Sequence, residues 1–422
     1  MISLKKLGLT YKIFLAIGLG VICGLFINIA LPSGTLKDDI LLDGILKLFG
    51  TGFINAIKML VVPLVFISLV CGSSSMGDVT KLGRIGIKTM LFYFTTTAIA
   101  ISLSLLLANV INPGEGLDMS QIITTEPTIA ERTSLVDTVL NMIPTNPIES
   151  LANGEMLQII FFSLLIGISI SLMGEKGAPI RNAFELLNEL SLKMLSIIMN
   201  FAPIGVFGLI TTTFSTVGLE AIFALSEYVF TVLLVLLIHA VIVYPLIGKT
   251  FTGLNLKPFF KKYANVAGVA FSTSTSNACI PIAIETMEDL GVDNSVASFT
   301  IPLGSTINMD GTAIMQGVSC IFIATLYGID LNFETFMTII LTATLASVGT
   351  AGVPGVGMIT LSMVLTSAGL PIEGIGLIMG VDRIIDMFRT VVNVMGDCMC
   401  TLVVSKLEGD LNTEKYHSHI EN

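Results

Sequence analysis

The segment VDRIIDMFRTVVNVMGDCMC, residues 381–400, carries charged and polar side chains within an otherwise apolar stretch. These side chains belong to Asp382, Asp386, Arg389, Thr390, Asn393 and Asp397. At about 100° per residue they fall within an arc of about 100° on one face of a helix. Each ionised side chain at the middle of a bilayer costs about 2.5–3.5 kcal/mol, so such a stripe is tolerated where it faces a polar interior. The segment therefore predicts a site for charged solutes inside a membrane protein.

The composition of the whole chain is that of a membrane protein. Of 422 residues, 53% are hydrophobic and 12% are charged, whereas soluble proteins average about 25% charged residues. The net charge of −10 and the lack of long basic runs argue against nucleic acid as a partner. The cysteines and histidines are scattered without metal-type spacing, so we expect free thiols and no histidine-based metal or catalytic site.

Six apolar segments are each long enough to cross a hydrocarbon core of about 30 Å. They occupy residues 11–31, 48–75, 84–111, 155–173, 195–215 and 221–248. Basic residues precede the first segment and follow the second, fourth and sixth, whereas the loops 32–47 and 112–150 are acidic. The positive-inside rule predicts a multi-pass protein of the cell (plasma or inner) membrane with cytoplasmic N- and C-termini. No cleavable signal precedes the first segment, so we expect that segment to remain as a span.

After residue 262, small and polar residues interrupt the apolar pattern. The interruptions are STSTSNACIP at 272–281, GSTINMDGT at 304–312 and SVGTAGVPGVG at 347–357. Broken hydrophobic segments in corresponding places of two halves point to the binding site of a secondary transporter. We expect residues 258–290 and 331–365 to form re-entrant helical hairpins whose tips meet near mid-membrane, where protein or a wet cavity satisfies irregular backbone.

Asn308 and Asp310 are two residues apart, which would place them about 160° apart around a regular helix. The flanking Gly304 and Gly311 permit the helix to unwind there. An unwound run of carbonyl groups beside two oxygen-bearing side chains suits a hard cation such as Na⁺. The alternative is that Asp310 only caps a helix.

Simpler structural roles stay open for the other motifs. The stripe at 382–397 could consist of internal ion pairs, with Arg389 held by Asp386. One arginine against three aspartates, however, leaves negative charge for a bound cation or amine to balance. The Ser/Thr run at 272–276 either packs helices closely or presents backbone N–H groups to a substrate carboxylate. The glycine-rich stretch 349–357 lacks the GK[ST] ending of a phosphate loop.

These segments, in this order and over almost the whole chain, resemble the glutamate/aspartate transporter family of dicarboxylate/amino acid:cation symporters. The resemblance rests on NMDGT at 308–312, GTAGVPG at 349–355, D-x-x-R-T-x-x-N-x-x-G-D at 386–397, IPTNP at 143–147 and FAPIGVF at 201–207. It implies a prokaryotic-type sodium-coupled member with an all-α polytopic fold of eight transmembrane helices, two re-entrant hairpins and inverted repeats. It also implies a homotrimer whose hairpin-containing domains move like elevators.

The resemblance divides each protomer into scaffold and transport parts. In chain order these are scaffold helices 1 and 2 (1–75), transport-domain helix 3 (76–111), an external loop with scaffold helices 4 and 5 (112–215), transport-domain helix 6 (216–250), the transport core (251–408) and a cytoplasmic tail (409–422). We expect the polar residues after Ser405 to be mobile.

The resemblance also implies a role for each residue of the substrate site. Asp386 would hold the α-ammonium group of an acidic amino acid, and Arg389 would hold its side-chain carboxylate as a bidentate partner. Asn393 and the tip of the first hairpin would hold the α-carboxylate. The tip residues and the remaining contacts are Ser274, Thr275, Ser276, Thr312, Thr390, Val353 and Gly357.

Na⁺ is implied as the coupling ion, with no other cofactor. One sodium site would use Gly304, Asn308, Asn393 and Asp397. The others would use Tyr93, Thr96, Thr97, Asn308 and Asp310, and Thr306 with carbonyl groups of Ser347, Val348 and Thr350. Met309 lies within the same cation-binding set.

Three positions refine the expected substrate and ion. Arg389 favours an acidic substrate, since relatives for neutral amino acids replace it. Asp397 favours Na⁺, because proton-coupled relatives often carry asparagine there. Gln316 stands where proton-coupled animal relatives carry glutamate, which argues against that proton route.

The chain departs from the family at two positions. Relatives usually place a second arginine in the first hairpin tip or just after the amine-binding aspartate, where this chain has Ser274 and Met387. One hypothesis assigns the role of that arginine to Arg383, one turn before Asp386.

Together these features predict a Na⁺-driven symporter of L-aspartate and/or L-glutamate, and not an enzyme. One rival is a proton-coupled transporter of dicarboxylates or cystine with the same fold. A remote rival is an intramembrane aspartyl protease that pairs Asp310 with Asp386 or Asp397, although VMGD at 394–397 differs from the Gly-x-Gly-Asp signature of those enzymes. A pure ion channel would not need a site for an amine and a carboxylate.

Overall fold

The computed structural model is predominantly helical over the residues that it describes. These are residues 9–32, 34–74, 81–116, 140, 143–216, 220–347 and 355–418. Within them the β-type pairing is one isolated antiparallel bridge between Val292 and Leu411. The predicted all-α class therefore agrees with the described part of the chain.

The described helices follow the predicted apolar segments. In the first half they are α1 (Leu9–Ala30), α2 (Lys47–Ser74), α3 (Lys81–Ile111), α4 (Pro147–Asn153), α5 (Met156–Leu172), α6 (Ala178–Met199), α7 (Ala202–Thr216) and α8 (Glu220–Ile238). In the second half they are α9 (Tyr244–Thr252), α10 (Lys257–Thr273), α11 (Ser276–Asp289), α12 (Asn294–Ile307), α13 (Asp310–Leu326), α14 (Phe333–Ser347), α15 (Val356–Ser367), α16 (Ile375–Glu408) and α17 (Thr413–Ser418). π-Helical segments at Leu36–Leu46 and His239–Val243 lead into α2 and α9.

Several of these helices are long and apolar enough to cross a membrane. In the described residues four stretches qualify by length and composition, namely Arg84–Ile111, Phe223–Thr252, Asn294–Leu326 and Ile372–Glu408. A helix pair bent by 52°, Gly174–Met199 with Ala202–Thr216, makes a fifth if it is one span. α1, α5 and both helices of the second predicted hairpin are apolar but shorter. A polytopic membrane protein is thus supported, and the number of eight transmembrane helices stays a prediction.

The helices pack in two groups. In one group α1 packs on α7, and α2 packs on α5, α6 and α7. In the other group α16 contacts α3 and each helix from α8 to α13. The groups meet where α16 touches α7 and where α15 touches α2. This packing is compatible with scaffold and transport parts, while the domain bounds and any movement between them stay predictions.

The first predicted hairpin is present as two packed helices with a sharp break. α10 ends at Thr273 and α11 begins at Ser276. Between them Ser274 takes a left-handed conformation with φ of 52°, which is uncommon for a residue other than glycine. α14 and α15 also pack against each other. The tip that joins them, 348–354, lies outside the described residues, together with the predicted site residues Val348, Thr350 and Val353.

The predicted unwinding between Gly304 and Gly311 is confirmed. α12 ends at Ile307, and Asn308 has an extended backbone with φ of −90° and ψ of 101°. Met309 is also non-helical, and α13 begins at Asp310. The two-residue break turns the side chains of Asn308 and Asp310 into the interior, where both are fully buried.

The prediction of a mobile tail is wrong for its described part. α17 places Tyr416 in a fully buried position, and the tyrosine hydroxyl donates to the carbonyl of Asn255 at 3.0 Å. The backbone N–H of Asn412 donates to the carbonyl of Gly291 at 2.8 Å. A buried aromatic ring and a backbone hydrogen bond therefore dock the tail on the connection between α11 and α12.

Candidate functional site

The polar stripe of α16 faces the protein interior. Asp386, Arg389, Thr390, Asn393 and Asp397 are each at most 4% exposed. Because α16 lies against helices α8 to α13, the stripe has partners from several helices. The stripe separates into two clusters with different partners.

The first cluster is a set of ion pairs around Asp386. Arg389 Nη2 lies 2.5 Å from Asp386 Oδ1, and Arg389 Nη1 lies 3.4 Å from Asp382 Oδ1. Arg383 Nη1 lies 3.3 Å from Asp386 Oδ2. The hydroxyl of Thr390 donates to the backbone carbonyl of Asp386 at 2.8 Å. We name Asp382, Arg383, Asp386 and Arg389 the ion-pair quartet.

The quartet corrects the expected charge balance of the stripe. The sequence argument counted one arginine against three aspartates, but Arg383 joins the network although it lies just outside the polar arc. An i,i+3 pair brings its long side chain to Asp386. The internal ion pairs that the simpler structural role predicted are therefore present in this structure.

Predicted substrate residues of α13 and α15 lie near those of α16. A Cβ atom added to Gly357 would lie 2.7 Å from Cζ of Arg389, so α15 approaches the guanidinium group at a position without a side chain. The amide of Asn393 donates to the hydroxyl of Thr312 at 3.4 Å. The structure thus gathers predicted substrate residues from α13, α15 and α16.

The tip of the first hairpin is placed next to α16. α10 and α11 both pack on α16, and the rings of Phe271 and Phe388 are 5.1 Å apart. Ser276, at the start of α11, is buried, and Ser274 Oγ is buried without a hydrogen-bond partner. The backbone of Thr275 between them is extended. A helix start whose first N–H groups lack intrahelical partners therefore lies near the stripe, while contact of the tip with a substrate carboxylate stays a proposal.

The second cluster surrounds Asp397 at the break between α12 and α13. Asn308 Nδ2 donates to the carbonyl of Asn393 at 2.8 Å and to Asp397 Oδ1 at 2.9 Å. Asn308 Oδ1 is buried and makes no hydrogen bond. A Cβ atom added to Gly304 would collide with Asp397 Oδ1 and with the hydroxyl of Tyr93. Oxygen atoms therefore line a space that the glycine leaves open.

Asp310 extends this second cluster. The hydroxyls of Thr97 and Tyr244 donate to its carboxylate at 2.5 and 2.8 Å, and His239 Nε2 lies 3.2 Å from the same group. Within the described part of the chain, the side-chain hydrogen bonds of Asp310 all reach other helices, so a role as a helix cap alone is not supported. We name Asn308, Asp310 and Asp397 with their oxygen-bearing neighbours the break cluster.

His239 and Tyr244 were missed by the sequence argument. His239 is a fully buried imidazole in an otherwise apolar span, and this isolation is the signal that could have indicated a polar partner. The π-helical turn His239–Val243 lies between α8 and α9. Such turns occur frequently at functional sites.

The remaining cation residues are only partly assembled. The hydroxyl of Tyr93 donates to the carbonyl of Thr300 at 3.0 Å, and that of Thr96 donates to the carbonyl of Tyr93 at 3.2 Å. Asn393 Nδ2 lies 3.3 Å from the sulfur of Met309. Thr306 and Ser347 bond within their own helices, to Leu303 and Thr344. Most residues of the first two predicted sodium sets therefore lie at the break, whereas the hydroxyls of Thr96, Thr306 and Ser347 bond within their own helices.

The two clusters differ in charge. Asp310 and Asp397 form no ion pair with a lysine or arginine among the residues that the structure describes. Buried carboxylates need hydrogen bonds and a compensating charge. Carboxylate, carbonyl, amide and hydroxyl oxygens are the ligands of hard cations. The break cluster can therefore hold a cation, and the quartet can exchange charged partners.

Comparison with known proteins agrees with this geometry. Residues 9–407 match the description "Sodium:dicarboxylate symporter family". The chain belongs to this family. The resemblance inferred from the motifs is therefore confirmed, and a family of membrane transporters gives no support to the protease alternative.

Relatives of the chain align with it over nearly full length. The chain is 38% identical to the "Proton/sodium-glutamate symport protein" of Geobacillus stearothermophilus, over 99% of this chain and 98% of the relative. It is 37% identical to the "Proton/glutamate-aspartate symporter" of Escherichia coli (strain K12), over 97% and 95%. It is 31% identical to the "C4-dicarboxylate transport protein" of Bacillus subtilis (strain 168), over 89% and 90%.

Proposed function

We propose that this protein couples inward movement of Na⁺ to the uptake of L-aspartate and/or L-glutamate across the cell membrane. The observation that carries the proposal is the presence of two unlike clusters along α16. One is a quartet that its own arginines neutralise. The other is an oxygen-lined break cluster whose carboxylates pair with no lysine or arginine among the described residues. The names of relatives that transport glutamate or glutamate and aspartate support the substrate class.

An acidic amino acid has the charges needed to replace both members of the Asp386–Arg389 pair. Its α-ammonium group would bind Asp386, and its side-chain carboxylate would bind the planar guanidinium of Arg389. Asn393, Thr312 and the N–H groups at the start of α11 would bind the α-carboxylate. Breaking a buried ion pair costs about 3–5 kcal/mol when one charge is left alone, so a substrate that supplies both partners avoids that cost.

The break cluster would receive the sodium ions. Asn308 Oδ1 and Asp397 Oδ1 are buried acceptors next to the space left by Gly304. Without a cation, the carboxylates of Asp310 and Asp397 repel an anionic substrate. A bound cation reverses the local field, so the affinities for ion and substrate rise by the same factor, a coupling of about 1–3 kcal/mol.

The membrane supplies the driving force. Each net positive charge that moves inward gains about 2.3 kcal/mol per 100 mV of membrane potential. The two packing groups of helices support an elevator movement, in which the group around α16 carries both clusters past the group around α2. A homotrimer with both termini in the cytoplasm completes the proposal.

Uptake by proteoliposomes tests the coupling ion directly. We expect labelled L-aspartate to accumulate when an inward Na⁺ gradient is imposed and to stay at background in choline buffer, with faster uptake when the interior is negative. Uptake that is indifferent to sodium contradicts the mechanism. Competition by L-glutamate, succinate, cystine and serine then defines the substrate.

A second candidate is a proton-coupled carrier of dicarboxylates or cystine. The observation that favours the dicarboxylate form is the pairing of Asp386 with Arg383, which already neutralises the acid that would hold an amine. A relative named as a C4-dicarboxylate transport protein agrees with it. In the same vesicles, accumulation of succinate driven by an inward proton gradient without sodium would support this candidate.

A further inference from the structure

Both oxygens of the Asp386 carboxylate are already engaged by cationic groups. Arg389 approaches Oδ1 at 2.5 Å and Arg383 approaches Oδ2 at 3.3 Å. The Asp386 side chain is 6% exposed, so water contributes little to its neutralisation. The acid proposed to bind the substrate's ammonium group is therefore occupied before substrate arrives.

The quartet is also neutral as a unit. Asp382 and Asp386 supply two negative charges, and Arg383 and Arg389 supply two positive charges. An ammonium group that joined the quartet unchanged would add a buried positive charge next to two guanidinium groups, which is unfavourable at low dielectric. One guanidinium must leave Asp386 when an amine binds.

Arg383 is the guanidinium that is easier to displace. Among the residues that the structure describes, its one hydrogen bond is the contact with Asp386 at 3.3 Å, and its buried Nε makes no hydrogen bond. Arg389 bonds two aspartates and has a side-chain exposure of 3%, compared with 16% for Arg383. Rotation of one side chain therefore frees Asp386 Oδ2.

The displaced side chain has space beside it. Arg383 lines a cavity of about 210 Å³ between the two packing groups of helices. Asp382, Asp386 and Met379 line the cavity from α16, and Met199 and Val206 line it from α6 and α7. The guanidinium can turn into this cavity without leaving the neighbourhood of Asp382.

We propose that Arg383 is an internal substitute for the substrate's ammonium group and thereby sets the preference between amino acids and amine-free dicarboxylates. In the empty carrier Arg383 neutralises Asp386. An acidic amino acid displaces Arg383 into the cavity, whereas a dicarboxylate without an amine leaves it in place. This inference rests on the proposed function and replaces the hypothesis that Arg383 is a second carboxylate-binding arginine.

Removing Arg383 should have different effects if it substitutes for the ammonium group and if it binds a substrate carboxylate. A competitor that occupies the amine site lowers the apparent affinity for amino acids by the fraction of carriers that it blocks, so its removal tightens their binding. Removal also leaves Asp386 less neutralised, which weakens binding of a dicarboxylate that brings no amine. A carboxylate-binding arginine would instead support both ligands, and its loss would weaken both.

Calorimetric titration of the purified full chain in saturating NaCl separates these outcomes. For Arg383→Met we expect the Kd of L-aspartate to fall about threefold to tenfold and the Kd of succinate to rise by a similar factor. Arg383→Lys keeps the charge and should leave the ratio of the Kd values of L-aspartate and succinate near that of the wild type. Arg84→Met, the same type of change at a surface arginine with 65% exposure, is the matched control and should leave the ratio unchanged.

Equal weakening of both ligands by Arg383→Met, or no change in the ratio of their Kd values, overturns the inference. Melting temperatures check that each variant is folded, and Arg383→Gln replaces Arg383→Met if the latter does not fold. If the wild-type protein binds no acidic amino acid in sodium, the proposed function fails together with this inference. If the wild type binds L-aspartate and the ratio does not shift, the inference alone fails.

Discussion

The quartet around Asp386 and the break cluster around Asp397 lie on the same face of α16, about 16 Å apart along the helix. In the quartet, two arginines compensate two aspartates at distances of 2.5 to 3.4 Å. In the break cluster, the partners of Asp310 and Asp397 are an amide, two hydroxyls and an imidazole. The same type of side chain is therefore held in two different electrostatic environments.

This difference explains how one helix can serve two kinds of solute. A neutral set of ion pairs can exchange its internal partners for a ligand that carries both signs of charge. A buried pair of carboxylates whose partners are hydroxyls, an amide and an imidazole instead favours a small cation with oxygen ligands. In the proposed mechanism the cation binds first, because it neutralises the break cluster before an anionic substrate binds nearby.

Loss of Arg389 should have the largest effect. Arg389→Ala removes the proposed carboxylate partner and leaves Asp382 and Asp386 buried without their common counter-ion, a change of about 3–5 kcal/mol. We expect the Kd of L-aspartate in sodium to rise at least about 100-fold, as measured by calorimetry. Arg389→Lys retains the charge without bidentate geometry. Its Kd for L-aspartate should therefore lie between that of the wild type and that of Arg389→Ala. If the Kd of L-aspartate in Arg389→Ala stays within tenfold of the wild-type value, Arg389 does not bind the substrate.

Neutralising Asp397 should act on the ion rather than on the substrate. Asp397→Asn removes one of the two carboxylate charges of the break cluster and keeps an oxygen for Asn308, so we expect the sodium concentration for half-maximal uptake to rise about tenfold. Uptake of labelled L-aspartate by vesicles at a series of sodium concentrations measures this half-maximal concentration. The matched change Asp382→Asn on the same helix should weaken aspartate binding and leave the sodium dependence near that of wild type. If both variants shift the sodium dependence alike, the two clusters are not distinct.

Loss of the charge of Glu408, the fourth acid of α16, should have the smallest effect. Glu408 pairs with Arg84 at 2.9 Å and Lys88 at 2.6 Å at the end of the helix. The Glu408 side chain is 1% exposed, but its partners Arg84 and Lys88 are 65% and 32% exposed, so water partly screens both pairs and Glu408→Gln should cost about 1 kcal/mol. We expect sodium-driven uptake close to that of wild type and a small decrease in melting temperature that high salt reduces. A loss of sodium dependence would show that an acid outside both clusters takes part in coupling.

The breaks in the helices could be predicted because their cause is local. Ser274 and the residues around it, and the pair Asn308 and Met309, interrupt apolar runs with small or polar residues, and the chain leaves the helix at those positions. The polar face of α16 could be predicted because helix periodicity fixes which side chains share a direction. The docking of the C-terminal tail could not be predicted from the sequence. A polar terminal segment gives no local sign that Tyr416 is buried and bonds to the distant Asn255.

By itself the sequence determined where the carboxylates lie along each helix and on which face, since these depend on residue order and on 3.6 residues per turn. The ion pairs of the quartet are contacts within one helix, whereas the tertiary structure alone decided which groups surround Asp310. Thr97 and His239 reach Asp310 from 213 and 71 residues away. A hydrogen bond or ion pair requires two atoms within about 3 Å, and only the packing of helices sets that distance between residues far apart in the chain.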